Sequence, residues 1–302
     1  MELIYKFNLK NYANASEPEK QTIRQSMNSS LATTGCLYLA NTSIDQKAIT
    51  NIQNLTNAFF QQSLEQKNTI KKPSEKTMRG YASGGKDLNE SFQIGPLQYQ
   101  GRTDRTDENL WPTFNVAFKK TWEDYYREME NLSANILDVF SDCLSIPYDF
   151  FIQNTSQHTC RLNGRFYPAI TTPPQANQFR ASPHTDDGAF AIMLPQKGRQ
   201  CLEIFNAEKK SWTPIEALEG YYILNLGDLF ARLTNDFWKA PLIRVTANSE
   251  QSAIDRLSIT FFHSFNHDTL VKSFDAFTTT SYPSKYPPVT TAEHVALKMA
   301  KP

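Results

Sequence analysis

His184 and Asp186 stand two residues apart in the stretch SPHTDDGAFAIML. On an extended strand that spacing turns the imidazole and the carboxylate to one face. Such a pair supplies two of the three donors of a mononuclear non-haem iron(II) site, in which two histidines and a carboxylate cover one face of the ion and leave the other positions open. A His-x-Asp pair also arises by chance as surface polarity, so its weight depends on the residues that accompany it.

Arg256 and Ser258, in RLSITFF, share a strand face by the same alternation. A guanidinium grips a carboxylate with two prongs, and a hydroxyl two residues on can add a third contact. An arginine at an exposed strand end is the plain alternative for Arg256.

Taken together, HTDDGAF, NLGDLFARLTN from Asn225, IRV from Ile243 and RLSITFF from Arg256 resemble the iron(II) and 2-oxoglutarate-dependent oxygenases, and more narrowly the isopenicillin N synthase-like superfamily. GCLYLANTSID and GYASGG resemble that superfamily's N-terminal region, so the likeness covers most of the chain. It implies His184 and Asp186 as metal ligands, and Arg256 with Ser258 as the holders of the distal carboxylate of 2-oxoglutarate. Tyr167, in RFYP, falls where the family has a tyrosine that touches the same cosubstrate. The family's asparagine two residues earlier is Arg165 here, which leaves a packed strand aromatic as an equal reading of Tyr167. Asn225, Gly227 and Asp228 match an Asn-x-Gly-Asp run, with Asn225 toward the metal and substrate pocket and a turn role for the other two.

The likeness breaks at the third ligand. The family has a histidine before Arg-Val, and this chain has Ile243, which cannot coordinate iron. His158, His263, His267 and His294 remain. With Arg256 and Ser258 facing the pocket, Thr260 and Phe262 share their face and His263 points away. His267 lies beyond that strand, His158 reads as a turn histidine, and His294 reaches a site only by folding back.

The resemblance implies iron(II), 2-oxoglutarate and dioxygen as cofactor and cosubstrates. It implies hydroxylation, desaturation or oxidative cyclisation of a small-molecule metabolite, of the kind met in secondary metabolism, by a chain whose metal site Ile243 impairs. Two other classes stay open: a jelly-roll ligand-binding protein without turnover, which Ile243 favours and Arg256/Ser258 oppose, and an oxidase that uses no 2-oxoglutarate.

The positioning elements follow from periodicity. From about Thr159 onward, short β-type runs alternate with Gly, Pro and Asn turns, which predicts a sandwich or barrel of jelly-roll type. Upstream, Ser16 and Glu19 form a capping box before a helix that Gly35 ends, CLYLA is a buried strand, and a helix begins near Asp45. Phe114, Phe118, Trp122, Tyr125, Met129, Leu132, Ile136 and Phe140 step by three and four along a long helix near 113–144, buried on one side. The expected fold is mainly β with flanking helices (α+β): an N-terminal helical region over 1–150, a double-stranded β-helix over 151–275 and a C-terminal extension over 276–302. Residues 76–110 read as loops bordering the pocket, with Tyr81, Glu90, Phe92 and Arg102 as candidates to touch substrate.

Composition narrows the partners. The 31 basic and 31 acidic side chains cancel, so no overall field draws the chain to nucleic acid or an anionic membrane. The four cysteines have no CxxC spacing and read as reduced thiols. No long apolar segment or signal-type N-terminus is evident, and a cytoplasmic monomer acting on a small molecule is expected.

Overall fold

The computed structural model describes residues 4–74, 78–98, 108–172, 174–175, 178–196, 198, 202–247 and 250–300. Arg102 lies outside them. Strands β1 (Tyr5–Asn8), β2 (Cys36–Ala40), β3 (Gly80–Ser83), β4 (Glu90–Ile94), β5 (Arg161–Tyr167), β6 (Ala181–His184) and β7 (Phe190–Leu194) are followed by β8 (Leu202–Asn206), β9 (Ser211–Pro214), β10 (Tyr222–Leu226), β11 (Ile243–Val245) and β12 (Arg256–His263). A small ribbon, β13 (Leu270–Val271) with β14 (Val289–Thr290), closes the strand series. The helices are α1 (Leu9–Asn14), α2 (Glu17–Thr33), α3 (Gln46–Phe60), α4 (Leu64–Asn68), α5 (Val116–Leu144), α6 (Tyr148–Thr155), α7 (Asp228–Leu233) and α8 (Thr291–Met299).

The major sheet runs β1-β2-β10-β7-β12-β5-β4-β3 and the minor sheet β6-β11-β8-β9. This is the jelly roll that the strand pattern predicts. Three strands of the major sheet, β2, β7 and β10, are apolar almost throughout because both of their faces are covered. On β2, β7 and β10, Leu37, Ile192 and Leu224 turn to the helices, whereas Tyr38, Met193 and Ile223 turn to the minor sheet. Two cores result, one on each side of the sheet.

The outer core is built on α5, whose one-sided stripe buries Phe118, Trp122, Tyr125, Met129, Leu132, Ile136 and Phe140. Gly164 on β5 makes this packing possible. A Cβ there would stand 2.8 Å from Thr56 Cγ2 and 3.1 Å from the Trp122 ring, closer than such atoms normally approach. The Ser16–Glu19 capping box opens α2, and Gly35 follows that helix with a positive φ of 68°.

The N-terminal part departs from the expected helical region. Strands β1 to β4 all join the major sheet, and β3 and β4 form a hairpin inside the stretch expected to be loop. Its Gly, Ser and Asn content masks a short alternation in which Phe92 and Ile94 are buried, and β4 gains its partners from β5 across a long stretch of chain.

Candidate active site

The cavity opens between the two sheets. It spans about 440 Å³, counting the part open to solvent, and is lined by Asn163, Arg165 and Tyr167 of β5, His184 and Asp186, Met193, Leu202, Ile243 to Val245, and Ser258, Thr260 and Phe262 of β12. Period-two alternation delivers the β5 and β12 side chains. Arg256 pairs with Tyr167, Ser258 with Arg165 and Thr260 with Asn163 across the β12–β5 ladder, so each pair shares the inner face.

His184 ends β6. Its Nδ1 lies 2.6 Å from the Ser182 carbonyl oxygen. A carbonyl only accepts, so the neutral ring carries its proton on Nδ1 and leaves the Nε2 lone pair free. Nε2 stands 3.7 Å from Asp186 Oδ1, close enough for both atoms to contact one cation. Asp186 is 7% exposed, and its Oδ2 accepts from Asn225 Nδ2 at 2.7 Å. Asn225 Oδ1 is buried without a partner among the described residues. Asn225 therefore fixes the carboxylate and does so from β10.

The Gly227–Asp228 turn packs directly under the ligand loop. A Cβ on Gly227 would lie 2.2 Å from the Gly188 carbonyl oxygen, so only glycine lets α7 start there. Asp228 N donates to the Asp186 carbonyl at 2.9 Å. Its carboxylate receives His294 Nε2 at 3.2 Å and Lys298 Nζ from α8. Lys298 also donates to Thr185, the residue between the two candidate ligands. Burial would push the Asp228 carboxyl up, but these donors outweigh it and hold the group at about 2.

Arg256 is 3% exposed, and its Nε and Nη1 have no hydrogen-bond partner among the described residues. Its guanidinium carbon lies 4.8 Å from the centroid of the Tyr167 ring. Ser258 Oγ is 3.3 Å from Thr260 Oγ1. A buried charge with two idle donors is costly unless an anion completes it.

Ile243 is the Cα partner of His184 across the β6–β11 ladder and is itself 5% exposed. A hydrocarbon thus occupies the edge where a third donor would stand. His263 faces the outer core, where its ring stacks on Phe190 at 4.6 Å between centroids. His158 pairs with Glu130 at 2.8 Å and His294 with Asp228. Among the described residues no group of three His, Cys, Asp or Glu could hold a metal.

Tyr81, Glu90 and Phe92 do not reach the cavity. Tyr81 Oη donates to Glu90 Oε2 at 2.6 Å, Lys67 pairs with the same carboxylate at 2.6 Å, and Phe92 packs on Trp122 at 4.7 Å between centroids. β4, with Tyr81 of β3 paired to its Phe92, turns these side chains toward the helices and gives Ser91 and Gln93 the face shared with Arg165 and Asn163. Arg165 stands in the sequence only as a departure from an expected asparagine, although the alternation of β5 already places it beside Tyr167.

Two family models match the chain. Residues 7–114 match the non-haem dioxygenase in morphine synthesis N-terminal model, and residues 153–265 match the 2OG-Fe(II) oxygenase superfamily model. The chain belongs to the 2OG-Fe(II) oxygenase superfamily. It is 28% identical over 282 residues to azadirone synthase LFS of Melia azedarach, covering 86% of this chain and 83% of the relative. It is 26% identical over 296 residues to the 2-oxoglutarate-Fe(II) type oxidoreductase hxnY of Emericella nidulans, covering 91% and 83%. In fold it matches a full-length Neurospora crassa protein solved in complex with alpha-KG, with a TM-score of 0.88 at 21% identity over 98% of this chain and 95% of the other.

As a superfamily member the chain is a non-haem iron, 2-oxoglutarate-dependent dioxygenase, with iron(II), 2-oxoglutarate and dioxygen as cofactor and cosubstrates. The residues fit 2-oxoglutarate, because the idle donors of Arg256 call for a carboxylate and its neighbours on the same face, Ser258 and Tyr167, line the cavity. They do not fit a three-donor iron site. His184 and Asp186 offer one edge, and Ile243 offers nothing. No described helix is long and apolar enough to cross a membrane.

Proposed function

We propose that this chain binds 2-oxoglutarate through Arg256, Ser258 and Tyr167 and oxidises a small-molecule metabolite, by hydroxylation, desaturation or oxidative cyclisation, with its protein metal donors reduced to His184 and Asp186. The observation that carries this reading is the buried Arg256 guanidinium, with two donors unpaired among the described residues, packed behind Tyr167 and Met193 of the cavity wall. The names of the relatives, a synthase and an oxidoreductase, agree with a metabolite substrate.

Within this reading the chain's own residues orient and exclude. Arg256 fixes the distal carboxylate of the cosubstrate, Tyr167 backs the guanidinium, and Asn225 keeps Asp186 turned toward His184. Met193, Leu202, Ile243, Val245 and Phe262 give apolar walls that displace water from bound ligand. Ile243 favours a second reading, a binder of 2-oxoglutarate without turnover.

Calorimetric titration of 2-oxoglutarate, with and without iron(II), tests the site. Arg256→Gln is expected to weaken binding by about 2 kcal/mol or more, the usual value of a hydrogen-bonded charged group. Succinate release with iron(II), dioxygen and a metabolite panel separates the enzyme from the binder. A wild-type chain that takes up no 2-oxoglutarate under either condition would end both readings.

A further inference from the structure

We propose that 2-oxoglutarate is held end to end by two arginines, Arg256 at the distal carboxylate and Arg165 at the carboxylate beside the keto group, so that it binds without a metal. This inference rests on the reading of the cavity as the 2-oxoglutarate site.

Arg165 lines the cavity, is half-buried, and among the described residues has no hydrogen-bond or ion-pair partner. The neighbouring cations are committed: Arg244 Nε to Glu203 at 2.6 Å and Arg161 to Asp187 at 2.6 Å. Arg165 stands opposite Ser258, and Arg256 opposite Tyr167, which makes the two arginines diagonal neighbours on one face. Such positions are about 7–8 Å apart at the backbone. Four carbon–carbon bonds of about 1.5 Å, drawn out in a zigzag, part the carboxyl carbons of 2-oxoglutarate by about 5 Å. Two long guanidinium arms reach both ends of that span.

The electrostatics agree. Two changes meet in one cavity: Ile243 removes a metal donor, and Arg165 adds a positive charge where the resemblance expects asparagine. Asp186 is the sole acid among the described lining residues, and its charge is shared with Asn225. With Arg165 and Arg256 both lacking an acidic partner among the described residues, positive charge exceeds negative around the cavity, which suits a dianion. A guanidinium pairs with a carboxylate in a bidentate, geometrically specific way, which a metal-deficient site otherwise lacks.

The test is titration of 2-oxoglutarate into metal-stripped protein in EDTA, beside 4-oxopentanoate, which carries a methyl group in place of the carboxylate next to the ketone. We expect wild-type affinity in EDTA within about threefold of that with iron(II), and a loss of about tenfold or more in Arg165→Gln. The monocarboxylate should bind wild type and variant equally weakly. The Arg165 side chain makes no hydrogen bond among the described residues, so its replacement should leave the melting temperature unchanged, and Arg165→Lys should recover part of the affinity. Binding that appears only with metal and ignores Arg165→Gln overturns the proposal. So does a variant that keeps its 2-oxoglutarate affinity but loses turnover of a metabolite, because Arg165 then serves the substrate. If wild type binds 2-oxoglutarate under no condition, the cosubstrate reading itself fails.

Discussion

Ile243 faces His184 across a ladder only three residues long on its own strand, with Ile204 as its other neighbour. An imidazole in its place would project from the same Cα toward the edge that His184 and Asp186 leave open. Ile243→His is therefore expected to tighten iron(II) binding by more than about 10 to 100-fold, the cost of losing even the hydrogen-bond partners of metal ligands. Metal titration followed by calorimetry reads this out, and equal affinity in both chains would show that the edge is closed to a third donor. Arg256 and Ser258 could be placed in the sequence because strand alternation is local and rigid. Tyr81, Glu90 and Phe92 could not, because the face that β4 turns inward is decided by its pairing with β5, some 70 residues away in the chain.

At the scale of elements, α8 matters through two side chains. His294 and Lys298 lie one turn apart and meet Asp228, whose own backbone supports Asp186. The sequence suggests a short terminal helix but holds no sign of this contact, since it joins positions about 70 residues apart. Asp228 is held at about 2 in the fold, against about 3.9 for an unfolded aspartate. A lowered carboxyl stabilises above its unfolded value and ceases to as pH falls through its folded one. The clamp is thus intact above about pH 4 and lost toward pH 2. Asp228→Asn should lower the melting temperature at pH 7 and flatten its decline between pH 4 and 2, as followed by circular dichroism. An unaltered acid slope in the variant would place the sensitivity elsewhere.

At the scale of the whole molecule, the helices and strands near the N-terminus are structural parts of the roll. β2 pairs with β10, β4 with β5, and Phe7, Leu39, Phe59 and Trp122 belong to the same core as Phe190 and Leu224. A fragment of residues 151–275 is expected to lack cooperative unfolding, checked by denaturant titration, because it exposes the helix-covered face of the major sheet. A sharp transition in that fragment would instead make it an independent domain. Its strand pattern was legible from composition and turns, whereas the enlistment of β1 to β4 in the same sheet was not: CLYLA reads as a strand, but its partner β10 lies far along the chain, and β3 and β4 sit in a stretch rich in Gly and Ser. The central place of β12 in the sheet also has a bearing on biosynthesis. Until residue 263 has cleared the ribosome, β5 and β7 lack the strand between them, and once β7 has emerged the nascent chain carries two unsealed edges until β12 follows. Overproduction at low temperature, or with chaperones in excess, is accordingly the setting in which soluble yield should rise most.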